Sequence, residues 1–223
     1  MSLFSRKSKV SDNDQHQEFI ELSTRMAEVA AAEGIRITPY KDASLPNFSA
    51  ATSEARERVL NIIQSTIVLS EQVLQQGERP GSSAPLIWAF CRACKLTPPS
   101  DFMDKIEEGN TLDIYNEQGQ LIFANLRFYS LNSYSLEELY FQSWEKLYIH
   151  EPPAIMEQLK GICVEMLSGP HKVYDVRYVG PHMIRETFGK GSGILAPTYF
   201  CTVVKSGKIA GFISMNRILE VHS

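Results

Sequence analysis

The sequence predicts an α+β protein in which a helical region precedes an antiparallel sheet. Apolar residues recur at helical spacing in the first half, whereas from residue 111 onward they alternate with polar residues as they do in strands. Four-residue turns at 116–119 and 205–208 each contain a glycine and are typical of hairpins. After residue 110 the predicted order is two strands, three helices and three strands, with no internal repeat.

Composition and charge narrow the class of protein. Of the 223 residues, 43% are hydrophobic and 22% are charged, as in ordinary globular proteins. The net charge of −4 argues against a nucleic-acid partner, because such proteins carry a basic surface. No stretch approaches the ~18 to 20 apolar residues of a membrane helix, and the basic N-terminus is not followed by the apolar core of a signal peptide. Four cysteines are too few for a disulfide scaffold, so we expect a cytoplasmic protein.

Residues 1–109 are predicted to form a helical region, and residues 110–223 a second domain. Apolar spacing and capping signals predict amphipathic helices at four positions: about 14–33, 53–76, 85–95 and 100–108. The first helix carries an apolar stripe spaced 3, 4 and 3, formed by Phe19, Leu22, Met26 and Val29. This stripe either packs on its own domain or pairs with a second copy, and it is too short to predict a coiled coil.

Several phrases in the second half resemble those of one family. Asn116, Gly119 and Asn125 flank the apolar strand 121–123 in the order in which many PAS domains begin. The phrase SYSLEEL at 133–139 is similar to the GYS-x-EEL phrase of that family, and IHEPP at 149–153 is similar to its hPeD phrase. About residues 110–220 therefore resemble the PAS superfamily, and the resemblance does not extend to the N-terminal half.

The resemblance implies a fold and a function. PAS domains have a five-stranded antiparallel sheet with helices on one face, and they serve as sensory or interaction domains. We therefore expect a non-enzymatic sensory or adaptor protein in signalling or regulation, which binds a protein partner or a second copy of itself. This sequence departs from the pattern at Glu151-Pro152-Pro153 and in a glycine-rich insertion at 180–196.

Aromatic residues cluster in the PAS-like half and suggest a pocket for a small apolar ligand. The alternative is a filled core, since a domain of this size needs much of that surface buried. The predicted pocket residues are Tyr115, Phe123, Trp144, Tyr148, Tyr174, Arg177 and Phe200.

Cofactor chemistry has little support in the sequence. His150 is the candidate haem ligand that the resemblance suggests, but at the position of the hPeD histidine we expect packing and a local hydrogen bond. A covalent flavin adduct needs a cysteine early in the helical segment, and 125–147 contain none. A noncovalent flavin is compatible with the sequence, although no residue requires it. We expect no cofactor and no metal.

Other motifs have structural explanations. Cys91 and Cys94 form a C-x-x-C pair without two further zinc ligands, and we expect both thiols to be buried on a core helix. Glycines 189, 191 and 193 lack the Walker pattern and suggest a hairpin tip. His171 and His182 follow Gly-Pro pairs and are expected to be exposed. Asn125 and the Ser135–Glu138 pair are expected to cap helices.

Two further functional classes remain as alternatives. The first is an isomerase or lyase with a cone-shaped α+β fold, which needs an ionisable group at the floor of its pocket, with Asp175 or Arg177 as candidates. The predicted element order argues against that fold, and no catalytic motif is present. The second is a structural subunit of a larger assembly, which docks through its helical half.

Overall fold

The computed structural model describes residues 12–168, 176–188 and 193–222. Its helices are α1 (Asp12–Ala32), α2 (Pro46–Ala50), α3 (Ser53–Gln75), α4 (Ser83–Cys94), α5 (Ser100–Met103), α6 (Leu126–Ser130), α7 (Leu136–Phe141), α8 (Trp144–Leu147) and α9 (Ala154–Ser168). Its strands are β1 (Thr111–Asn116), β2 (Leu121–Ala124), β3 (Tyr148–Glu151), β4 (Val176–Glu186), β5 (Gly193–Lys205), β6 (Lys208–Asn216) and β7 (Glu220–His222).

The strands form one antiparallel sheet. Its five main strands lie in the order β2-β1-β6-β5-β4, which confirms the predicted α+β class and the five-stranded antiparallel sheet. The two predicted hairpins are present, joining β1 to β2 and β5 to β6. Two short strands were not predicted: β3 pairs with β4, and β7 pairs with β5.

Within the predicted insertion at 180–196, residues 180–186 and 193–196 belong to the sheet. β4 continues to Glu186 and β5 starts at Gly193, with a register shift between Val179 and His182. The extended ends of these strands carry β3 on one side and β7 on the other. The glycines at 189 and 191 lie outside the described residues, whereas Gly193 pairs with Arg185 in the ladder. The sequence pattern missed this extension because Gly-Pro and glycine-rich stretches usually mark loops.

Helices cover both faces of the sheet. Helices α6, α8 and α9 lie on one face, as the resemblance predicts, and α9 contacts β4, β5 and β6. Helices α3 and α4 cover the opposite face through contacts with β2 and β1, where Phe90 of α4 stacks on Phe123 of β2 with ring centroids 4.4 Å apart. One buried apolar core therefore continues from the N-terminal helices into the sheet.

The N-terminal helices agree with three of the four predicted ranges within about two residues. The fourth, predicted at 100–108, ends at Met103, and the chain then turns through Gly109, whose φ of +93° suits a residue without a Cβ. The short helix α2 was not predicted. None of the helices in the described part of the chain is long and apolar enough to cross a membrane.

The apolar stripe of α1 packs within the chain. Phe19 and Met26 are buried, Leu22 and Val29 are half-buried against the same core, and α1 lies along α3. Phe19 also contacts Phe48 of α2, with ring centroids 4.8 Å apart. Phe19 and Met26 are therefore not part of an exposed surface that a second copy could cover.

The predicted caps are confirmed. Asn125 accepts a hydrogen bond from the backbone N–H of Phe128 at 3.0 Å and so caps α6. Its side chain also accepts from Leu112 N, which ties the start of α6 to β1. Ser135 and Glu138 form the reciprocal capping box at the start of α7. These side chains serve the backbone and are not candidates for chemistry.

Candidate ligand cavity

A cavity of about 90 Å³ lies between the sheet and the helices α6, α8 and α9. Three strands supply its floor, and the extended β4–β5 hairpin and the helices supply its walls. Residues on β1 reach the cavity at every second position, as the pleat of a strand dictates. The lining comprises Thr111, Asp113, Tyr115, Phe128, Leu131, Asn132, Trp144, Tyr148, His150, Leu159, Cys163, Ile184, Glu186, Gly193, Ile194, Thr198, Phe200, Phe212, Ser214 and Asn216.

Cross-strand pairs order the floor of the cavity. Asp113 of β1 lies opposite Ser214 of β6. One step along, Tyr115 lies opposite Phe212, and their rings stack with centroids 5.0 Å apart. The register of these strands therefore sets a polar pair beside an aromatic pair.

At the other end of the floor, three polar side chains satisfy one another. Thr198 of β5 donates its hydroxyl to Oδ1 of Asn216 at 2.7 Å. The amide of Asn216 in turn donates to the hydroxyl oxygen of Thr111 at 3.2 Å. These two hydrogen bonds hold the three side chains in place across β1, β6 and β5.

Asp113 is the unusual group of the cavity. Its side chain is buried, with 4% of the residue exposed, and its Oδ1 has no hydrogen-bond partner among the described residues. Burial raises the pKa of this carboxyl to about 7, although hydrogen bonding by the hydroxyls of Tyr115 and Ser214 opposes the rise. The acid is therefore close to half protonated at neutral pH.

The other titratable groups around Asp113 stay neutral. Burial raises the pKa of Tyr115 and of Tyr148 well above the ordinary value, and it raises the pKa of the Cys163 thiol to about 12. The hydroxyl of Tyr148 also donates to the side-chain oxygen of Asn132. Near neutral pH these groups act as hydrogen-bonding and packing groups, not as charges.

His150 and His182 form a buried pair beside the cavity. Nδ1 of His150 lies 3.0 Å from Nε2 of His182, and Nδ1 of His182 lies 2.8 Å from the carbonyl oxygen of Gly180. Because a carbonyl only accepts, Nδ1 of His182 carries the proton and its Nε2 accepts from Nδ1 of His150. Neutral His150 is thereby left with an acceptor at Nε2.

The pair corrects the prediction that His182 is exposed, and it shows the surroundings of His150. His182, which was predicted to be exposed, is 3% exposed, because the extended β4 brings its ring against that of His150 on β3. Burial lowers the pKa of His150 to about 3, with the neighbouring His182 adding to the fall, and burial also lowers the pKa of His182. His171 lies outside the described residues.

The cavity does not fit haem or a flavin. Pockets for ligands of ordinary cofactor or drug size measure roughly 300–1,000 Å³, several times the volume found here. The residues that line the cavity therefore suit a much smaller molecule.

The structure places four of the seven predicted pocket residues at the cavity. Tyr115, Trp144, Tyr148 and Phe200 line the cavity. Phe123 pairs with Ile114 and faces α4 on the other side of the sheet. Tyr174 lies outside the described residues.

Arg177 lies away from the cavity. Its guanidinium forms an ion pair with Glu165 at 2.7 Å, and both side chains are partly exposed. Asp175, the second candidate for a catalytic group, lies outside the described residues. The groups that sequence reasoning missed are Asp113, Ser214, His182 and Glu186. The one available signal was an acid at Asp113, two positions before Tyr115 on an alternating strand.

A surface groove of about 500 Å³ lies next to the cavity, between the β1–β2 turn, α7 and α8, and the start of α3. Four aromatic residues line both the cavity and the groove and so form the wall between them: Tyr115, Phe128, Trp144 and Tyr148. A change in the cavity that moves this wall also changes the groove.

The C-x-x-C pair is buried in the core, as predicted. Cys91 is 1% exposed and Cys94 is 8% exposed. Burial raises the pKa of Cys91 to about 12 and that of Cys94 to about 11, so neither is a reactive thiolate near neutral pH. Within 12–168, 176–188 and 193–222, no group of three or more histidine, cysteine or acidic side chains is placed to hold a metal ion.

No protein-family model and no curated protein matches the sequence. Solved structures do match. A PAS domain of a protein from Colwellia psychrerythraea is 16% identical over 50% of this chain and 86% of that chain, with a TM-score of 0.37. A PAS domain of an HTR-like protein from Haloarcula marismortui is 16% identical over 49% and 81%, with a TM-score of 0.36.

An RNA-binding light-oxygen-voltage receptor is 12% identical over 96% of this chain and 66% of that chain, with a TM-score of 0.37. The structure's own strand order, with helices α6, α8 and α9 on one face, confirms the PAS-like fold that the motifs predict.

Proposed function

We propose that this protein is a non-enzymatic sensory protein of signalling or regulation, in which a small molecule in the cavity alters a surface offered to a protein partner. The observation that carries the proposal is the unpartnered Oδ1 of Asp113 in an aromatic-lined cavity. Leaving a buried polar atom unsatisfied costs about 1–3 kcal/mol. Proteins retain such destabilising groups mainly at functional sites.

The wall between the cavity and the groove provides a route by which a structural change in the cavity can reach the surface. Phe128 of α6 lies in this wall, and the next residue, Tyr129, shares a hydroxyl–hydroxyl hydrogen bond of 2.6 Å with Tyr140 of α7. A ligand that shifts Phe128 therefore acts on α7 through one buried contact. Such a chain of packed groups is a physical route for coupling between two sites.

Helix α7 holds the helical region in turn. The buried carboxylate of Glu137 accepts hydrogen bonds from the backbone N–H of Asn47 at 2.6 Å and from that of Phe48 at 3.0 Å. These are the first amides of α2, where a carboxylate is favoured by the helix end. Phe48 also contacts Phe141 of α7 edge-on, with ring centroids 5.7 Å apart. We name this contact between α7 and α2 the latch.

The isomerase or lyase alternative has less support. Its candidate Arg177 is paired with Glu165 away from the cavity, and the strand order is PAS-like rather than that of a cone-shaped sheet. The second alternative, a structural subunit, predicts that an occupied cavity has no effect on the latch.

Hydrogen exchange with and without a saturating small probe tests the proposal. We use 1-propanol as the probe, because its size suits the cavity and it carries no charge. Occupancy is expected to change the exchange rates of the Asn47 and Phe48 amides at least threefold, although both lie outside the cavity lining.

Glu137→Ala provides the control for the latch, since it removes the acceptor of both amides and leaves the cavity lining intact. In that variant the two amides are expected to exchange quickly with or without the probe. Saturable binding in the wild type without any change in exchange outside the cavity would refute the sensory role.

A further inference from the structure

We infer that the cavity selects a small primary alkylammonium ion, held by Asp113 and surrounded by aromatic rings. This inference names the ligand class of the proposed sensory site and so rests on the proposed function. It is carried by the charge of the lining, the direction of its hydrogen bonds, its aromatic content and its volume.

The described lining carries acids but no cationic side chain. Asp113 and Glu186 are its carboxyl groups, and neither lysine nor arginine belongs to it. His150 is held neutral by burial, which lowers its pKa to about 3. An anionic ligand would find no counter-charge here, whereas burying an ion needs a partner of opposite sign. A cation finds that partner in Asp113.

The two carboxyl groups differ in availability. Glu186 accepts hydrogen bonds from the backbone N–H of Ser133 at 2.5 Å and from its hydroxyl at 2.6 Å. Oδ1 of Asp113 has no donor among the described residues. Asp113 is therefore the group that remains to bind a ligand.

The buried atom of the lining that has no partner in the described chain is an acceptor, Oδ1 of Asp113. Neutral His150, which also lines the cavity, carries a second acceptor at Nε2, because its Nδ1 proton is given to His182. A ligand that binds Asp113 therefore brings a hydrogen-bond donor. A primary ammonium group has three N–H donors and the matching charge.

The apolar part of the cavity is rich in aromatic rings. The lining contains six aromatic side chains: Tyr115, Phe128, Trp144, Tyr148, Phe200 and Phe212. The faces of such rings attract cations, and the attraction grows when water is excluded. The same rings accommodate a short alkyl chain. A carboxyl group within an aromatic enclosure therefore favours a charged amine over a neutral molecule of equal size.

The volume limits the ligand to a few atoms. A cavity of about 90 Å³ corresponds to about three water molecules in the liquid, or about three to five non-hydrogen atoms. Propylammonium, with its short chain, is of this size, and larger polyamines or aromatic amines are too large. So few atoms support an affinity of about millimolar order.

Binding of an ammonium ion should be linked to release of the Asp113 proton. The groups that face Asp113 from the surrounding elements are Tyr115, Tyr129, Tyr148 and Cys163, and burial raises the pKa of each, so they stay neutral between pH 6 and pH 8. An alkylammonium ion, like a lysine side chain, keeps its proton up to about pH 10. Asp113 is thus the group in this set that changes charge in the range.

Three probes of equal chain length separate the ligand classes. Propylammonium, 1-propanol and propionate are titrated into the full chain at pH 8 and followed by the NMR signals of the Ile184 and Ile194 methyl groups, which line the cavity. Propylammonium is expected to bind at least tenfold more tightly than 1-propanol, and propionate should give no saturable shift. Its affinity should rise about tenfold from pH 6 to pH 8, while that of 1-propanol stays constant.

Asp113→Asn supplies the matched variant. It keeps the size of the side chain and removes its charge, so the preference for propylammonium and its pH dependence should disappear while 1-propanol binding remains. Thr202→Val is the control on β5, because this buried residue lies outside the cavity lining, and it should keep the preference.

The outcomes test the ammonium inference separately from the proposed ligand-sensing function. If 1-propanol binds as tightly as propylammonium, or propionate binds, the ammonium inference is overturned and the ligand cavity stands. If no probe gives a saturable shift in the wild type, both are overturned. If Asp113→Asn fails to fold, the affinities of the three probes for the wild type, and their dependence on pH, still test the ammonium inference.

Discussion

His150 of β3 donates a hydrogen bond from Nδ1 to Nε2 of His182 on β4, over 3.0 Å, and both rings are buried. The pKa of each ring is lowered in the fold, that of His150 to about 3. Below the ordinary pKa of about 6.5 the unfolded chain therefore binds more protons than the folded chain, so stability falls as pH decreases from about 6.5 toward 3.

Replacing both histidines tests this linkage. In the double variant His150→Phe, His182→Met, urea unfolding is expected to lose free energy less steeply between pH 6.5 and pH 4 than in the wild type. Over that range the wild type should lose at least roughly 3 kcal/mol more of its unfolding free energy than the variant. Equal slopes in the two proteins would contradict the assignment of acid sensitivity to this pair.

Asp113 is expected to cause the opposite trend, a loss of stability as pH rises, and Asp113→Asn should remove it. The pKa of Asp113 is raised in the fold to about 7, so its contribution to stability is present below the unfolded value of about 3.9 and is lost as pH rises toward 7. The variant should therefore gain stability relative to the wild type between pH 5 and pH 8, by on the order of 2 kcal/mol. Urea unfolding of both proteins at pH 5 and pH 8 measures this gain. If the difference in unfolding free energy between variant and wild type is the same at both pH values, Asp113 is not protonated in the fold.

Replacing threonine by valine is expected to have opposite effects on stability at two positions of β5. Thr202 is fully buried and its Oγ1 has no partner in the described chain, so Thr202→Val should stabilise the protein by about 1 kcal/mol. Thr198 donates to Asn216 at 2.7 Å, so Thr198→Val should destabilise it by about 1 kcal/mol. Melting temperatures of the two variants provide the measurement. A loss of stability in Thr202→Val would indicate that its hydroxyl has a partner.

Gly211 holds the register that places Tyr115 opposite Phe212. Its φ is +146°, and a Cβ there would lie 1.9 Å from the carbonyl oxygen of Tyr115. Gly211→Ala should therefore cost about 3 kcal/mol or more. In Gly161→Ala, the control within α9, the added methyl meets no atom within 4 Å and should stabilise by about 0.5–1 kcal/mol. Similar melting temperatures for the two variants would contradict the close approach.

The fold was predictable to the extent that its signals are local. Alternation, turn glycines and the caps at Asn125 and Ser135 identify strands, hairpins and helix starts without reference to distant residues. The extension of β4 and β5 was not predictable, because it depends on pairing with β3 and β7, which lie far away in sequence. For that reason His182 was assigned to the surface.

The cavity was predictable only in part. Tyr115, predicted as a pocket residue, lines the cavity, whereas Phe123 pairs with Ile114 and faces α4 on the other side of the sheet. Asp113 carries no local sign of burial, because an acid on an alternating strand usually faces water. Its environment is formed by β6 and the helices, which the spacing of β1 does not reveal.

The crystal structure of the full chain soaked in 1-propanol tests the central claim most directly. We predict one ordered molecule in the cavity, with its hydroxyl within hydrogen-bond distance of Oδ1 of Asp113 and its chain against Tyr148 and Phe200. A cavity filled by repacked side chains, or probe molecules bound only on the outer surface, would contradict the claim that this site receives a small ligand.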